Sequence, residues 1–386
     1  MKRLHLQLIS ITLLLCLIFP FNAVSAAGAE TGQPNLILDC KSAVLMEAST
    51  GKILYEQSAD AALPPASVTK IMTLLLTMES IDSGMLKLTD TLQASEYAAS
   101  MGGSQVFIEP GEMMTVEELL KSVVIASAND ASVVLAESIA GSVEGFVSKM
   151  NERAAELGME NTHFENPTGL DDNTQNHVTS ARDIAIMSRE LLKHKTILNY
   201  TTIWMDTIRN GEFGLTNTNR LIRFYNGANG LKTGSTSNAG FCISATAKRD
   251  GMQLIAVVMG SPTRDIRNEC AKKLLDYGFA NYSIAEYQEG NEGSVRVIGG
   301  TKDSVDAYYP SISLLVGKGQ SKNIEKHINL PDSVPAPVTA GQILGDIVYT
   351  LNGNEIGRVN LISGESVDRL SYIQVVTRLL YNCLGL

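Results

Sequence analysis

The sequence lacks the side-chain patterns that usually hold a metal ion, a nucleotide or a redox centre. Its 386 residues include only five cysteines and five histidines, with no C-x-x-C pair and no histidines at metal-ligand intervals. A glycine-rich phosphate loop, a fixed-period repeat and a low-complexity tract are also absent. We therefore expect a protein that needs neither a metal nor a cofactor.

An excess of basic residues is missing as well. The formal net charge is −10, and because a phosphate backbone attracts basic faces, the composition predicts no nucleic-acid partner. Hydrophobic residues make up 44% and charged residues 19% of the chain, which is typical of a globular rather than a disordered protein. The length is sufficient for two domains.

The N-terminus predicts export. Lys2 and Arg3 precede an unbroken apolar run over 13–19, and Val24-Ser25-Ala26 supplies a small-residue cleavage pattern. We interpret residues 1–26 as a signal peptide, since the apolar stretch is short for the alternative, a membrane anchor. The mature chain would then act at the outer face of the cytoplasmic membrane or in the cell wall. A disulfide among the remaining cysteines stays open, because the sequence does not select a pair: Cys40, Cys242, Cys270 and Cys383.

Hydrophobic periodicity divides the rest of the chain into three parts. Residues 36–283 combine predicted strands with helices, including a helix over 269–277 that we expect to end at Gly278. Residues 284–363 carry short β-type runs between glycine-rich turns and predict a small all-β domain. Residues 365–386 carry an apolar stripe at helical spacing and predict an amphipathic helix. Two interpretations of this helix are open: a peripheral membrane anchor, or a terminal helix docked on its own domain.

The first of three short motifs is Ser67-Val68-Thr69-Lys70. The prolines just before it indicate a helix start, so we expect Ser67 in the first turn of a buried helix, with Lys70 on the same face. A serine hydroxyl becomes a good nucleophile when a base removes its proton. A buried lysine has a lowered pKa and is such a base. Taken alone, the motif more often reflects a capping serine and a solvated lysine.

The second motif, Ser127-Ala128-Asn129, lies in an otherwise apolar helical region. Buried polar groups are costly there unless they are hydrogen-bonded. The functional interpretation gives Ser127 a proton relay to a leaving amine, and has Asn129 hold Lys70 or a substrate amide. The alternative is a junction between two helices that is capped by these polar residues and Asp130.

The third motif is Lys232-Thr233-Gly234, followed by Ser235 and Thr236, at the start of a predicted strand pair. A cation with adjacent hydroxyls on a sheet edge suits a substrate carboxylate. Gly234 would let a substrate backbone lie close to the strand. Lys232 would also supply positive potential that keeps Lys70 neutral. A turn before a strand is the alternative.

The three motifs occur in this order, on a predicted helix, a second helix and a strand. Together they are the set of residues typical of a single active site. With them, the chain resembles the serine-type D-alanyl-D-alanine carboxypeptidases, which are low-molecular-mass penicillin-binding proteins. The resemblance is strong over about residues 36–283, whereas the β domain and the terminal helix agree in layout only. The segments that carry it cover residues 64–73, 126–131, 166–170, 230–234 and 274–279.

The resemblance implies an α/β (α+β) fold of the β-lactamase/transpeptidase type, an antiparallel sheet with a helical subdomain, ahead of the β domain and helix. It implies Ser67 as the nucleophile that forms an acyl ester and Lys70 as its proton acceptor. The N–H groups of Ser67 and Ser235 would form the oxyanion hole. Some relatives carry histidine in place of Ser235, which leaves the deacylation rate and the penicillin sensitivity open. The remaining implied site residues are the relay pair Ser127 and Asn129, the substrate-binding Lys232, Thr233, Gly234 and Thr236, and Arg267, a candidate carboxylate contact.

The expected reaction is removal of the terminal D-alanine from peptidoglycan stem peptides ending in D-Ala-D-Ala, with β-lactam antibiotics as inhibitors. Alternatives are a class A-like β-lactamase, a non-catalytic penicillin-binding sensor, and a transpeptidase or endopeptidase. The histidines nearest the motifs show no arrangement of a Ser-His-Asp triad. Trp204 is interpreted as packing, and Gly102-Gly103-Ser104 as a turn, with a loop at the rim of the site as the alternative.

Overall fold

The computed structural model describes residues 36–172 and 174–384, so the predicted signal peptide lies outside the described residues. In chain order the strands are β1 (Ser42–Glu47), β2 (Ile53–Gln57), β3 (Thr91–Gln93), β4 (Met113–Thr115), β5 (Met205–Ile208), β6 (Phe213–Thr216), β7 (Ala228–Thr236), β8 (Gly240–Arg249), β9 (Met252–Ser261), β10 (Tyr282–Tyr287), β11 (Gly290–Ile298), β12 (Ser304–Tyr309), β13 (Ile312–Gly317), β14 (Ile324–Asn329), β15 (Ser333–Pro335), β16 (Ile343–Leu351) and β17 (Asn354–Ser363). The α-helices are α1 (Lys70–Asp82), α2 (Glu96–Ala99), α3 (Val116–Lys121), α4 (Asn129–Ala140), α5 (Val143–Glu156), α6 (Ala181–Leu191), α7 (Leu198–Thr201), α8 (Leu221–Phe224), α9 (Arg264–Asn281) and α10 (Tyr372–Leu384).

A five-stranded antiparallel sheet in the order β2-β1-β9-β8-β7 forms the centre of the first domain. Side chains alternate between the two faces of a strand. Val257 and Met259 of β9 accordingly pack into one core with α1 and α6, whereas Ala256 and Val258 pack into another with α9. Helices therefore cover both faces of the sheet, and β7 is left at its edge.

Helix α9 continues past Gly278 to Asn281, so the predicted helix end at Gly278 is wrong. Gly278 is buried, and a Cβ atom there would lie 2.5 Å from Leu254 Cδ1 of β9. The glycine lets the helix pack closely against the sheet. A glycine that closes a helix and one that allows close packing look the same in the sequence.

The helical part of the domain is interrupted near residues 127–128, as predicted. A π-helical turn over Ser122–Ala126 ends there, and α4 begins at Asn129. Helices α4 and α5 then meet at a bend of 82°. Within the part of the chain that the structure describes, no single helix is long and apolar enough to span a membrane, although this bent pair passes the same test by length and composition.

The predicted all-β domain follows α9 directly. Its main sheet has six strands in the order β14-β16-β17-β12-β11-β15, and β10 pairs separately with β13. Val295, Ile347, Tyr349 and Leu361 belong to its hydrophobic core. The first strand, β10, begins at Tyr282, two residues before the domain boundary expected from the sequence.

The C-terminal helix begins at Tyr372 and not at residue 365, as the sequence suggested. The preceding segment is held by the β domain: Val338 N–H donates to Val367 O at 2.9 Å, and Arg369 Nε donates to Ala336 O at 3.1 Å. These hydrogen bonds fix the backbone in an extended conformation, so the helix starts only after them. The four cysteines of the described residues are free thiols: Cys40, Cys242, Cys270 and Cys383.

Candidate active site

Ser67 lies in a single 3₁₀ turn, Ala66–Thr69, which leads into α1 at Lys70. The serine therefore precedes the α-helix by one turn, rather than lying in its first α-helical turn as expected. Lys70 Nζ is 2.9 Å from Ser67 Oγ. Ala66 adopts a φ of 48°, a backbone conformation that residues other than glycine rarely take.

Lys70 is fully buried, and its amine has three hydrogen-bond partners. Besides Ser67 Oγ, these are Asn129 Oδ1 at 2.6 Å and Thr168 O at 2.8 Å. Burial first, and then the positive charge of Lys232, holds the pKa of Lys70 well below that of a free lysine, although Asp130 acts in the opposite direction. The site therefore favours the neutral amine.

The neutral amine has two N–H donors and one lone pair. Asn129 Oδ1 and the Thr168 carbonyl can only accept, so they take both N–H groups. The lone pair then faces Ser67, whose hydroxyl is the one partner able to donate. The two acceptors thus orient Lys70 as a base toward the serine.

Ser127 and Lys232 form a second polar pair. Ser127 has a φ of 64° at the junction before α4, and Lys232 Nζ donates to its Oγ at 2.8 Å and to Thr233 O at 2.9 Å. Lys232 is buried. Burial, with a smaller effect from the nearby Arg267 charge, lowers the pKa of Lys232 to about 7. A buried cation thus stands directly behind the Ser127 hydroxyl.

Asn129 faces Lys70 because its amide group is held from the other side. Its Nδ2 donates to Gly102 O at 2.7 Å, and its own backbone N–H donates to Ser104 O at 2.7 Å. A Cβ atom at Gly103 would lie 2.9 Å from Asn129 Nδ2. The segment Gly102-Gly103-Ser104 therefore belongs to the site. The sequence favours a plain turn at this segment, since paired glycines are typical of turns, and the alternative of a loop at the site is the one that fits the contacts with Asn129.

The loop at residues 166–170 supplies the carbonyl that accepts from Lys70. Asn166 Oδ1 accepts from the N–H groups of Thr168 at 3.1 Å and Gly169 at 2.7 Å, which fixes the loop. Gly169 has a φ of 79°, and a Cβ atom there would lie 1.8 Å from Ala66 O. The loop thus packs tightly against the 3₁₀ turn Ala66–Thr69, which carries the predicted nucleophile Ser67 and is called the nucleophile turn below. The family resemblance includes this segment. It does not single out the Thr168 carbonyl, because every residue has a backbone carbonyl and the sequence does not show which one accepts a hydrogen bond.

His177 is hydrogen-bonded to the turn that carries Ser67. Its Nδ1 accepts from Glu165 N–H at 2.9 Å, so its proton is on Nε2, which lies 2.8 Å from Thr69 Oγ1. Burial lowers the pKa of His177 to about 4, which keeps the ring neutral. His177 is therefore a structural hydrogen-bonding residue next to the site.

The edge strand β7 lies against the nucleophile turn. A Cβ atom at Gly234 would be 2.8 Å from Ser67 N and 2.9 Å from Pro65 O, so only glycine allows this approach. The motif that begins at Lys232 lies within the strand and not at its start. Thr233 Oγ1 donates to Thr218 Oγ1 at 2.8 Å. Thr236 accepts from Ala239 N–H at 3.1 Å and thus stabilises the turn after the strand.

A cavity of about 570 Å³ opens in front of Ser67. Lys70, Asn129 and Lys232 lie behind its wall, and Thr236 is not part of the lining. Arg267 lines it, although its guanidinium also donates to Asn268 Oδ1 at 2.8 Å. Lining residues used below are Ser67, Ser127, Trp204, Arg220, Phe224, Thr233, Gly234, Ser235, Arg264 and Arg267.

This arrangement defines a class of site: acyl transfer through a serine ester. A neutral amine faces a serine hydroxyl, a second hydroxyl stands beside a buried cation, and a sheet edge is open to an extended peptide. Within residues 36–172 and 174–384, no group of three or more His, Cys, Asp and Glu side chains is placed to hold a metal ion.

Comparison with known sequences identifies the family. The profile of the D-alanyl-D-alanine carboxypeptidases matches residues 28–263, and that of the penicillin-binding protein 5 C-terminal domain matches residues 284–369. D-alanyl-D-alanine carboxypeptidase DacF of Bacillus subtilis (strain 168) is 43% identical over 385 residues, which cover 98% of each chain. DacC of Escherichia coli (strain K12) is 34% identical over 90% of this chain and 88% of its own. The chain belongs to the D-alanyl-D-alanine carboxypeptidase family.

Solved structures agree with this assignment. Penicillin-binding protein 5 from Haemophilus influenzae, at 32% identity, superposes with a TM-score of 0.76 and covers 86% of this chain and 99% of its own. Penicillin-binding protein D2 from Listeria monocytogenes in the ampicillin-bound form, also at 32% identity, gives 0.59 over 64% of this chain and 100% of its own. The predicted family, enzyme class and fold class are confirmed, and the β-lactamase alternative is not favoured. The roles of individual residues stay predictions.

Proposed function

We propose that this chain hydrolyses the terminal bond of stem peptides ending in D-Ala-D-Ala, through an acyl ester on Ser67. The observation that carries the proposal is the 2.9 Å contact between Lys70 Nζ and Ser67 Oγ, made by an amine whose pKa burial has lowered. As Ser67 Oγ attacks the carbonyl carbon between the two D-alanines, Lys70 accepts the hydroxyl proton.

The tetrahedral intermediate places a negative charge on the former carbonyl oxygen. The N–H groups of Ser67 and Ser235 donate to this oxygen in our proposal, and the close approach of Gly234 to the nucleophile turn supports that geometry. The proton then passes through the Ser127 hydroxyl to the leaving amine, the C–N bond breaks, and D-alanine departs. Water hydrolyses the ester and restores Ser67, with Lys70 again as base.

Lys232 and Thr233 bind the terminal carboxylate of the substrate, with Arg267 as a further contact. Arg267, which lines the cavity, donates a charge-assisted hydrogen bond to this terminus, whereas the buried ammonium of Lys232 attracts the carboxylate from behind the cavity wall. Asn129 acts by holding Lys70, and Thr236 by holding the turn after β7. β-Lactam antibiotics acylate the same serine, in keeping with the ampicillin-bound relative.

We further propose that the chain is exported and that α10 lies in the membrane interface. Several apolar side chains of this helix are exposed, among them Ile373 at 76% and Leu380 at 58%. An amphipathic helix that presents such residues to water is stabilised by burial in the interface. Arg378 is paired with Asp303 of the β domain, so the helix offers little basic charge to anionic lipids.

D-alanine release from a stem peptide ending in D-Ala-D-Ala tests the proposed reaction. The purified mature protein should release D-alanine, and Ser67→Ala should lower kcat/KM at least about a thousandfold, as is typical of a lost nucleophile. Ser100→Ala, an exposed serine outside the cavity, is the matched control and should retain activity. Release that survives Ser67→Ala would contradict the proposal. No release by any variant, with penicillin still acylating Ser67, would favour a transpeptidase or a sensor.

A further inference from the structure

Three arginines line one end of the active-site cavity: Arg220, Arg264 and Arg267. None of them forms an ion pair with a carboxylate of the described residues. Arg264 and Arg220 both lower the pKa of Arg267, to about 10, after the larger effect of its burial. The three positive charges therefore repel one another, and this end of the cavity attracts anions.

The surrounding groups do not cancel this charge. Arg264 is the first residue of the 18-residue helix α9, whose N-terminal end adds positive potential. Glu269 is engaged by Lys272 at 2.8 Å. Asp265 is the remaining nearby carboxylate, and its attraction affects Arg267 less than the repulsion from either arginine does. The net charge at the arginine-lined end of the cavity is therefore positive.

The cavity is also larger than the expected leaving group. Pockets of roughly 300–1,000 Å³ hold drug-sized molecules, and this one measures about 570 Å³ around Ser67, which leaves room beyond a terminal alanine even with the acyl part of the substrate bound. Trp204 and Phe224 line the same end in an edge-to-face pair with ring centroids 6.2 Å apart. The cavity thus offers apolar walls between cationic groups, which suits hydrocarbon between carboxylates.

The orientation of the substrate follows from the proposed function, on which this inference rests. Lys232 and Thr233, with Arg267, hold the α-carboxylate of the leaving residue, so the space toward Arg220 and Arg264 lies on the leaving-group side. D-Alanine has no further charge to place there. Arg220 and Arg264 are consequently without a partner when D-alanine is the leaving group.

We propose that Arg220 and Arg264 bind a second carboxylate of the leaving residue, so that the enzyme prefers to cleave a D-alanyl bond to a D-amino diacid. The chemistry is otherwise unchanged. Ser67 Oγ forms the ester as the amide C–N bond breaks, the amine of the diacid takes the proton through Ser127, and water then releases the acyl group. Such leaving residues extend the activity from removing D-alanine to hydrolysing bonds between a D-alanyl group and an acidic partner peptide.

Matched synthetic peptides test this preference directly. Acyl-D-Ala-D-Glu and acyl-D-Ala-D-Gln differ in the second carboxylate and are almost equal in size. At low ionic strength we expect kcat/KM for the D-Glu peptide to exceed that for the D-Gln peptide about tenfold, as charge-assisted contacts allow. The ratio should approach one in Arg220→Gln/Arg264→Gln, and should shrink at high salt in the wild type, because salt screens exposed charges.

Arg296→Gln makes the same change at an exposed arginine of the β domain and should keep the full ratio. Penicillin acylation of Ser67 reports whether the double variant is folded, and where it is not, the two single variants replace it. A wild-type ratio near one, with D-alanine still released from D-Ala-D-Ala, would overturn this inference alone. A ratio that survives in the arginine variants would overturn the assignment to these residues. Hydrolysis of none of the peptides, D-Ala-D-Ala included, would overturn the proposed function as well.

Discussion

Lys70 is the residue on which the proposed base catalysis depends. Its amine lies 2.9 Å from Ser67 Oγ, a contact that the spacing of three along the chain predicts. The apolar residues after Lys70 predict its burial, and burial is the largest cause of its lowered pKa. The Thr168 carbonyl could not be predicted, because a backbone acceptor from a distant loop leaves no side-chain pattern.

The two buried lysines predict a bell-shaped pH dependence of kcat/KM. The rate rises with pH as Lys70 loses its proton, since only the neutral amine is a base, and this limb lies well below the pKa of a free lysine. It falls again above about pH 7, where Lys232 loses the charge that binds the carboxylate. Initial rates of D-alanine release, measured on both sides of about pH 7, give the profile.

Arg267→Gln separates the two limbs. Removing this cation raises the pKa of Lys232, so the falling limb should move to higher pH, whatever the effect on the maximal rate. Arg296→Gln is the control, because it removes an arginine from β11 of the all-β domain. It should not shift either limb of the pH profile. A falling limb that Arg267→Gln does not move would show that Lys232 is not the group that titrates there.

At the scale of elements, Gly169 is the position where the loop and the nucleophile turn depend on one another. A Cβ atom there would lie 1.8 Å from Ala66 O and 2.8 Å from Thr69 Oγ1. Gly169→Ala should lower the free energy of unfolding by about 3 kcal/mol, through overpacking added to backbone strain, and should slow acylation of Ser67. Thermal unfolding and penicillin acylation rates measure the two effects.

Gly158→Ala is the matched control for that substitution. Its φ of 71° is similar to that of Gly169, but no atom lies within 4 Å of the added Cβ. It should cost only the backbone strain, about 1 kcal/mol, with no change in acylation. Equal losses of stability and acylation in the two variants would contradict the proposed contact between loop and turn.

The ends of elements were the least predictable feature, for identifiable reasons. In the sequence, Gly278 resembles a residue that ends a helix. In the structure it lies inside α9, where its missing side chain lets the helix pack closely against Leu254. The helical stripe seemed continuous from residue 365, yet Val367 is hydrogen-bonded to Val338 of the β domain. In both cases tertiary contacts outweigh the local pattern. The mixed helix–strand domain and the all-β domain after it were predicted from periodicity along the chain, whereas short elements such as β3, β5 and α7 were not.

At the scale of the whole molecule, none of the residues of α10 lines the cavity, so we expect the helix to contribute nothing to the reaction itself. Removing residues 372–386 should abolish binding to phospholipid vesicles and leave kcat/KM for a soluble peptide within about twofold, since apolar exposure drives the binding. Vesicle co-sedimentation and D-alanine release measure the two. Binding should depend little on anionic lipid.

Substitutions within α10 test whether its exposed apolar side chains are what binds the vesicles. Leu379→Asn with Leu380→Asn removes two of its exposed apolar side chains and should weaken vesicle binding, whereas Gln374→Asn changes a polar residue of the same helix and should not. If the truncated chain sediments with vesicles as fully as the intact one, α10 is not the membrane contact. The alternative interpretation, a terminal helix docked on its own domain, would then be preferred.

Ser67 carries the acyl group in the proposed reaction, and mapping the acylation site is the decisive test of that role. The mature protein is incubated with penicillin, and its mass is measured intact and after proteolysis. Because ring opening expels no atoms, we expect a single adduct of the full penicillin mass on the peptide that contains Ser67, and no adduct on Ser67→Ala. An adduct on Ser127 or Ser235, or one that persists in Ser67→Ala, would contradict it.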